Sequence, residues 1–555
     1  MAVGLSARLY QLSAAGLAED EAAKILAIRS YTHGDFTANS EHPMLMKLAC
    51  LASLKTSDSW NSIVGRRFKA FDVSLEAALR FPNALFGALT VIPLFFLAES
   101  LLGSKVAAIS SLMWASGLNA IWFNRIAKED TLLVFFMLAS YCLYNRAKNL
   151  PIEDTVGQAR VYTLSGFAAG LMGASKYLPH FYGLMVLFYH LAGFNRRNNR
   201  PVPFRMKAMH VAAMVVTLMV FDFALFLPGT WRYVWSFIHG DFQTHHGYVM
   251  MGRLYPNDMG ATPGGPPWYL YYLYLLVKAP VPIVAAFIIG LIQIVTHRRA
   301  RRGADGYLFL RIMLVFWLLP MPLLGVKFLR YTLTLMPFVY MTAAVGVLVV
   351  WSVSLKVVKG ALSRYRRTLL GVISIMRRGI WVRIWTLTPA TAVLAIFVLF
   401  PAVTGFRSLP CVSAYTNLLG GGRTGYFFPH DEFYDAGARE SIRYIAEHAT
   451  AQARVATDIP AVLEIYLERF GRLDIQSERV SRPEADLLRS CPDYVLFQPG
   501  RVYYENEVYF DKITRSLVGV QVSRLGGQIS SEVFDLRSAR ADQDGFDAAY
   551  KPARP

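Results

Sequence analysis

The stretch Phe81–Leu102, FPNALFGALTVIPLFFLAESLL, meets no charged residue before Glu99. A helix needs roughly 20 apolar residues to cross the hydrocarbon core of a bilayer, and this run supplies them. Nine further apolar segments follow. They are Val106–Phe123, Thr131–Tyr144, Tyr162–Ala174, Leu178–Phe194, Ala208–Leu227, Tyr269–Val295, Tyr307–Val326, Tyr331–Val353 and Leu387–Phe406. Thr131–Tyr144 and Tyr162–Ala174 are short and need flanking residues to span. Pro93, Pro280, Pro282, Pro320, Pro322 and Pro337 lie in or beside these segments, where neighbouring helices satisfy the freed carbonyls. The pattern predicts a polytopic α-helical membrane protein of about ten spans.

Composition agrees. The chain has 555 residues, 54% of them hydrophobic, and a mean hydropathy of +0.34. Those values are too apolar for a soluble protein of this length. The formal charge of +19 does not point to nucleic acid, because Lys and Arg concentrate in particular loops. Cys50, Cys142, Cys411 and Cys491 show no CxxC spacing, which argues against a zinc site. Cys411 and Cys491 share the polar C-terminal part, so a disulfide and two free thiols both remain open there. Met1–Leu17 is too short to span and carries Arg8 near its middle.

The charges give sidedness. Asn195–Lys207 holds Arg196, Arg197, Arg200, Arg205 and Lys207, and His297–Gly306 holds Arg298, Arg299, Arg301 and Arg302. Lys356–Arg383 holds eight Lys or Arg residues, and within it Leu369–Trp385 mixes arginines with Ile, Leu and Trp, as a surface-lying amphipathic helix would. Ten spans put these loops, with Arg146-Ala147-Lys148, on one side, which is then cytoplasmic. The opposite side receives everything before Phe81, then Asn124–Asp130, Gly229–Trp268, Lys327–Arg330 and the whole tail after Arg407. This topology leaves the N-terminus outside with no segment to carry it there, as a missing first helix would explain.

The outer side collects the residues suited to chemistry. Glu19-Asp20-Glu21 precedes a short helix, where acids either cap the dipole or act as bases. Asp20, at the centre, is the first choice for a general base. Glu41-His42-Pro43 and Lys47 follow in the same loop, and Asp130 closes Arg125–Asp130. Asp130 is either an N-cap of the next span or a second acid over the same cavity. Lys47, Arg125, Lys327 and Arg330 are cations at that level, fit to hold a phosphate or to anchor at headgroups. Lys327 and Arg330 stand i, i+3 before Tyr331. Lys176-Tyr177 lies between spans on the same side. Lys278, between apolar flanks and before Pro280, is a functional candidate by its cost alone. His245-His246 reads as solvated loop, and His430-Asp431-Glu432 with Asp435 reads as helix capping ahead of metal binding. No metal or cofactor is expected.

The tail predicts a small α/β domain. Tyr434–Ala449 has helical spacing of Ile442, Ile445 and Ala449, and strands fall at Arg454–Thr457, Tyr494–Gln498, Val518–Val522 and Glu532–Leu536. The division is 1–80, an outer loop with juxtamembrane helices and a truncated first span; 81–406, membrane; 407–540, soluble and extracytoplasmic; and 541–555, a frayed end.

These residues, in this order, resemble glycosyltransferase family 39 of the GT-C membrane glycosyltransferases, the group of the protein O-mannosyltransferases and the bacterial transferase that adds aminoarabinose to lipid A. The family's Asp-Glu pair is matched by Asp20-Glu21. Its Glu-Lys-Pro-Pro or His-Pro-Pro element is matched by Glu41-His42-Pro43-Met44, with Met44 replacing the second Pro. Ala78-Leu79-Arg80-Phe81-Pro82-Asn83-Ala84-Leu85 follows, then Arg125 to Asp130, then Arg330-Tyr331-Thr332-Leu333 with Pro337. The resemblance covers roughly Ala18 to Val353. It implies an inverting transferase in the cell membrane, the bacterial inner membrane, with a polyprenyl-phosphate sugar donor and a lipid, glycan or protein acceptor. It implies that Asp20 takes the acceptor proton, that Glu21 or Glu41 orients groups, and that Asp130 holds acceptor or sugar. Lys47, Arg125, Lys327 and Arg330 would offset charge on the leaving phosphate. The rival reading is a transporter or lipid-linked-sugar flippase, which internal repeats would mark; none is evident between the halves.

Overall fold

The computed structural model of the chain describes residues 1–192, 201–239, 247–257, 264–297, 304–369, 391–481 and 492–537. His245, His246, Cys491 and Ser538–Pro555 lie outside them, as does most of Leu369–Trp385. By length and composition, four described helices are able to cross a membrane: Leu75–Leu102, Phe204–Phe221, Gly306–Leu323 and Met336–Gly360. The bent pair Ser104–Ser116 and Leu118–Asn124 makes five if it counts as one span.

The helices pack through small residues where backbones meet. Gly290 and Gly346 face each other's helices, and a Cβ on either would stand 1.9 Å from Thr342 O or Ala286 O. That closeness is how helices associate where lipid supplies no hydrophobic drive. Around them Trp114, Leu132, Tyr141, Trp317, Leu333 and Met341 are fully buried.

Before the first long helix lie three shorter ones, Ala2–Leu9, Glu19–Thr32 and Met44–Trp60. Glu19–Thr32 has three acids in its first turn and Arg29 in its last, matching the helix dipole at both ends. Leu75–Leu89 is N-capped by Ser74, whose side chain accepts from Ala77 N at 3.2 Å.

The C-terminal domain is α/β. Its strands are β3 (Arg454–Ala456), β4 (Gln476–Glu478), β5 (Tyr494–Phe497), β6 (Gln521–Leu525) and β7 (Gln528–Asp535); β1 (Tyr248–Met250) and β2 (Arg253–Tyr255) form a separate hairpin. The sheet order is β4-β3-β5-β7-β6, parallel from β4 to β5 and antiparallel from β5 to β6. Successive residues face opposite sides. Val455 and Leu496 join the core with Ile442 and Leu463, whereas Ala456 and Val495 pack with Phe510 and Ile513. The helix predicted from Tyr434 begins at Ala438, because Tyr434 and Asp435 take left-handed φ of 42° and 60° and break it.

Candidate functional site

The site forms where helix ends converge. Asp130 starts helix Asp130–Asn149, Lys176 follows the end of Thr155–Ser175, and the two pair at 2.7 Å. Asp222, just past Phe204–Phe221, accepts from the Met44 N–H at 3.0 Å and from the Tyr177 hydroxyl at 2.6 Å. Four termini are thereby tied at one level.

Glu21 builds the floor. It is fully buried and accepts from Arg80 Nε at 2.8 Å, Arg80 Nη2 at 2.6 Å, Ala18 N at 3.1 Å and Ala127 N at 2.9 Å. Arg80 spends its remaining donors on Leu12, Ala15 and Gly16 carbonyls. Asn83 donates to Ile126 O and, at 2.7 Å, to Lys128 O. The loop after helix Leu118–Asn124 is thus fixed from both sides, and it presents Lys128.

Asp20, one position earlier on the helix, does the opposite of Glu21: its side chain stays 30% exposed. Lys128 Nζ stands 2.6 Å from Oδ1, and Arg330 Nη1 stands 3.5 Å from Oδ2. The Tyr434 hydroxyl donates to Oδ2 at 2.6 Å. Burial opposes the charge, but Lys128, Arg330 and Lys24 outweigh it and hold the carboxyl well below its usual range. Behind it Lys24 pairs with Glu129 at 2.8 Å, both buried.

Asp20 opens onto a cavity of about 300 Å³, which Glu19, Lys24, Glu41 and His42 also line. The C-terminal domain closes it with Asp458, Arg479, Arg501 and Tyr503. Burial keeps His42 neutral, its pKa well below the imidazole norm, although Glu129 pulls the other way. Arg501 clamps the domain in place: it grips Asp435 through Nε at 2.8 Å and Nη2 at 2.6 Å and reaches Glu19 at 2.5 Å. Asp435 in turn accepts from Glu19 N at 2.9 Å. The strained backbone at Tyr434 and Asp435, roughly 1–3 kcal/mol per residue, is held by these bonds.

The predicted residues separate cleanly. Asp20, Glu41 and His42 line the cavity, and Arg330 reaches Asp20. Glu21 does not line it; its lone pairs are spent on the scaffold. Asp130 does not line it either and is engaged by Lys176, whose Nζ sits 4.8 Å over the Tyr331 ring. Three of the four expected phosphate cations, and Lys278 with them, are committed to other partners, chiefly carbonyl oxygens. Lys47 donates to Asn39 O at 2.7 Å and His42 O at 2.8 Å. Arg125 donates to the carbonyls of Ala7, Arg8, Tyr10 and Gln11. Lys278 binds Ser413 O, Tyr415 O and Glu432, and Lys327 binds Pro266 O and Leu324 O. These four hold loops in place. Lys24, Lys128, Tyr434, Asp458 and Arg501 do reach the cavity or Asp20 and were not anticipated.

Asp431 and Glu432 point apart: Asp431 accepts from the Tyr248 hydroxyl at 2.6 Å and Leu329 N at 3.2 Å, whereas Glu432 accepts from Phe428 N at 3.1 Å. Among the described residues no three His, Cys, Asp or Glu are grouped to hold a metal ion.

Residues 26–237 match the family model described as dolichyl-phosphate-mannose-protein mannosyltransferase. The chain superposes on ArnT from Cupriavidus metallidurans bound to undecaprenyl phosphate with a TM-score of 0.53 at 16% identity, covering 96% of both chains. Against the apo state of ArnT the TM-score is 0.55 at 14% identity, covering 100% of this chain and 98% of that one. The chain has the GT-C membrane fold. The oligosaccharyltransferase of Archaeoglobus fulgidus is more distant, with a TM-score of 0.47 at 12% identity over 90% of this chain and 68% of its own. No curated protein sequence matches the chain. In this fold the cavity under Asp20 lies at the junction of helical bundle and α/β domain.

Proposed function

We propose that the protein transfers a sugar from a polyprenyl-phosphate donor to an acceptor hydroxyl, with inversion, on the non-cytoplasmic face of the membrane. The observation that carries this reading is Asp20: one carboxylate, partly exposed in a polar cavity at the helix ends, flanked by Lys128 and Arg330. The family model over residues 26–237 is named for a polyprenyl-phosphate sugar, and a relative of the same fold carries undecaprenyl phosphate. The basic loops on the opposite side support the orientation.

In the step, the acceptor oxygen bonds to the anomeric carbon while its proton passes to Asp20. The bond from that carbon to the phosphate oxygen breaks, and the phosphate leaves with the electron pair. At rest Asp20 is a weak base, because its cations stabilise the carboxylate. An incoming phosphate competes for Lys128 and Arg330. As they turn to it, Asp20 gains basicity and the leaving group gains counter-charge together. Asp130 acts at one remove, setting Lys176 and Tyr331 beside Arg330.

Mass spectrometry of envelope lipids, glycans and proteins, with the gene present or deleted, tests this. A sugar that disappears on deletion and returns with the gene supports transfer. An unchanged envelope, with saturable substrate flux through liposomes, would favour a flippase instead.

A further inference from the structure

A second cavity, of about 330 Å³, lies back to back with the first. It sits between the N-terminal segment, the loop at Arg125 and Ile126, and the C-terminal sheet. Its walls differ from those of the first cavity. Trp122 and Phe433 give apolar ring surfaces, while Ser523, Arg524 and Glu440 give polar groups. Flat rings beside hydroxyl, guanidinium and carboxylate groups suit a polyhydroxylated ligand, since sugar C–H faces stack on rings while hydroxyls take hydrogen bonds. The volume is that of a small-molecule site.

Tyr434 stands between the cavities. Its ring lines the second, and its hydroxyl donates to Asp20 in the first at 2.6 Å. An O–H donated to the base is the contact an acceptor hydroxyl must make before it loses its proton. Tyr434 holds this post with a left-handed backbone that Arg501 and Asp435 maintain.

We infer that the second cavity binds the sugar portion of the acceptor, with Tyr434 as the positioning residue that occupies the acceptor hydroxyl's place until it is displaced. This rests on the proposed transfer reaction; that a carbohydrate binds there does not.

Cys411 provides the probe, because it lines this cavity and is exposed. The full chain, in nanodiscs with Cys142→Ser and Cys491→Ser, is treated with a maleimide at about pH 8.5. Carbohydrate-bearing envelope extract from the source organism should slow Cys411 labelling at least about ten-fold, whereas undecaprenyl phosphate should not. Arg524→Ala, on an exposed strand position, should abolish the protection. Protection by undecaprenyl phosphate, or by neither, overturns the assignment. Tyr434→Phe keeps the ring and loses one hydrogen bond to the carboxylate, so the acid limb of the transfer pH profile should rise by about one unit. An unmoved limb with intact protection would remove Tyr434 from its role. Undiminished transfer by Asp20→Asn would instead sink the reaction and leave the binding site standing.

Discussion

Asp20 and Glu21 are neighbours of like chemistry, and the structure assigns them opposite consequences. In Glu21→Gln, the amide keeps one acceptor oxygen but removes the charge facing Arg80. The guanidinium stays buried with three carbonyls and no counter-ion. Breaking a buried pair from one side costs about 3–5 kcal/mol. In a chain this long that is about 5 °C of thermal midpoint, since each kcal/mol moves a larger protein less. Asp20→Asn touches a partly exposed carboxylate and leaves Lys128 with Glu129 at 3.7 Å, so it should cost less than Glu21→Gln. The assay is paired: heat the purified protein, measure the monodisperse fraction by size exclusion, and measure transfer on the unheated material. Glu21→Gln should lose stability and keep transfer per folded molecule within several-fold. Asp20→Asn should lose less stability than Glu21→Gln and lose transfer. A Glu21→Gln protein as stable as wild type but without activity would refute the division of labour.

Other expectations follow from the same contacts. Lys128→Gln should lower transfer by about 100-fold, because it removes the cation nearest Asp20; wild-type rates in reconstituted vesicles would contradict that. Lys278→Met strands Glu432 in a buried site and should cost about 3 kcal/mol, whereas Lys278→Met with Glu432→Leu should recover much of it. Asp431 is pushed up to about 6 by burial, above its unfolded value. Its neutral form therefore favours folding, and that contribution is complete below about pH 4 and lost as pH rises through 6. Asp431→Asn should flatten the stability profile over that window, read by thermal midpoints from pH 4 to 7.

Much of the fold was legible from the chain alone. Apolar runs set the helical segments, and short buried runs marked the strands at Arg454 and Tyr494, with a further strand at Glu532; the strand expected at Val518–Val522 lies at Gln521–Leu525. The helix start at Tyr434 was misplaced, since nothing local announces that distant Asp20 and Arg501 hold two residues left-handed. Asp20 was singled out as the centre of an acidic trio, and the structure places it on the candidate cavity. Of its two flanking cations, Arg330 was named from the sequence and Lys128 was not. Lys47, Arg125, Lys278 and Lys327 are costly to bury, and sequence cannot tell a cation facing a substrate from one whose protons end on carbonyl oxygens. Lys128 was within reach: it lies in the same short loop as Arg125 and Asp130, three residues past the first, and only the loop's bonds to Asn83 and Glu21 decide which of them meets Asp20. Arg501 and Asp458 come from the other domain, so no spacing in the chain could have joined them to Asp20.

The account stands most directly on Asp20 in reconstituted protein. Wild type and Asp20→Asn are placed in vesicles with envelope-derived donor and acceptor lipids, and both sugar transfer and binding of undecaprenyl phosphate are measured. The expected result is transfer reduced by at least about 100-fold with binding kept within several-fold. Transfer at the wild-type rate by Asp20→Asn, with the variant folded, would contradict it.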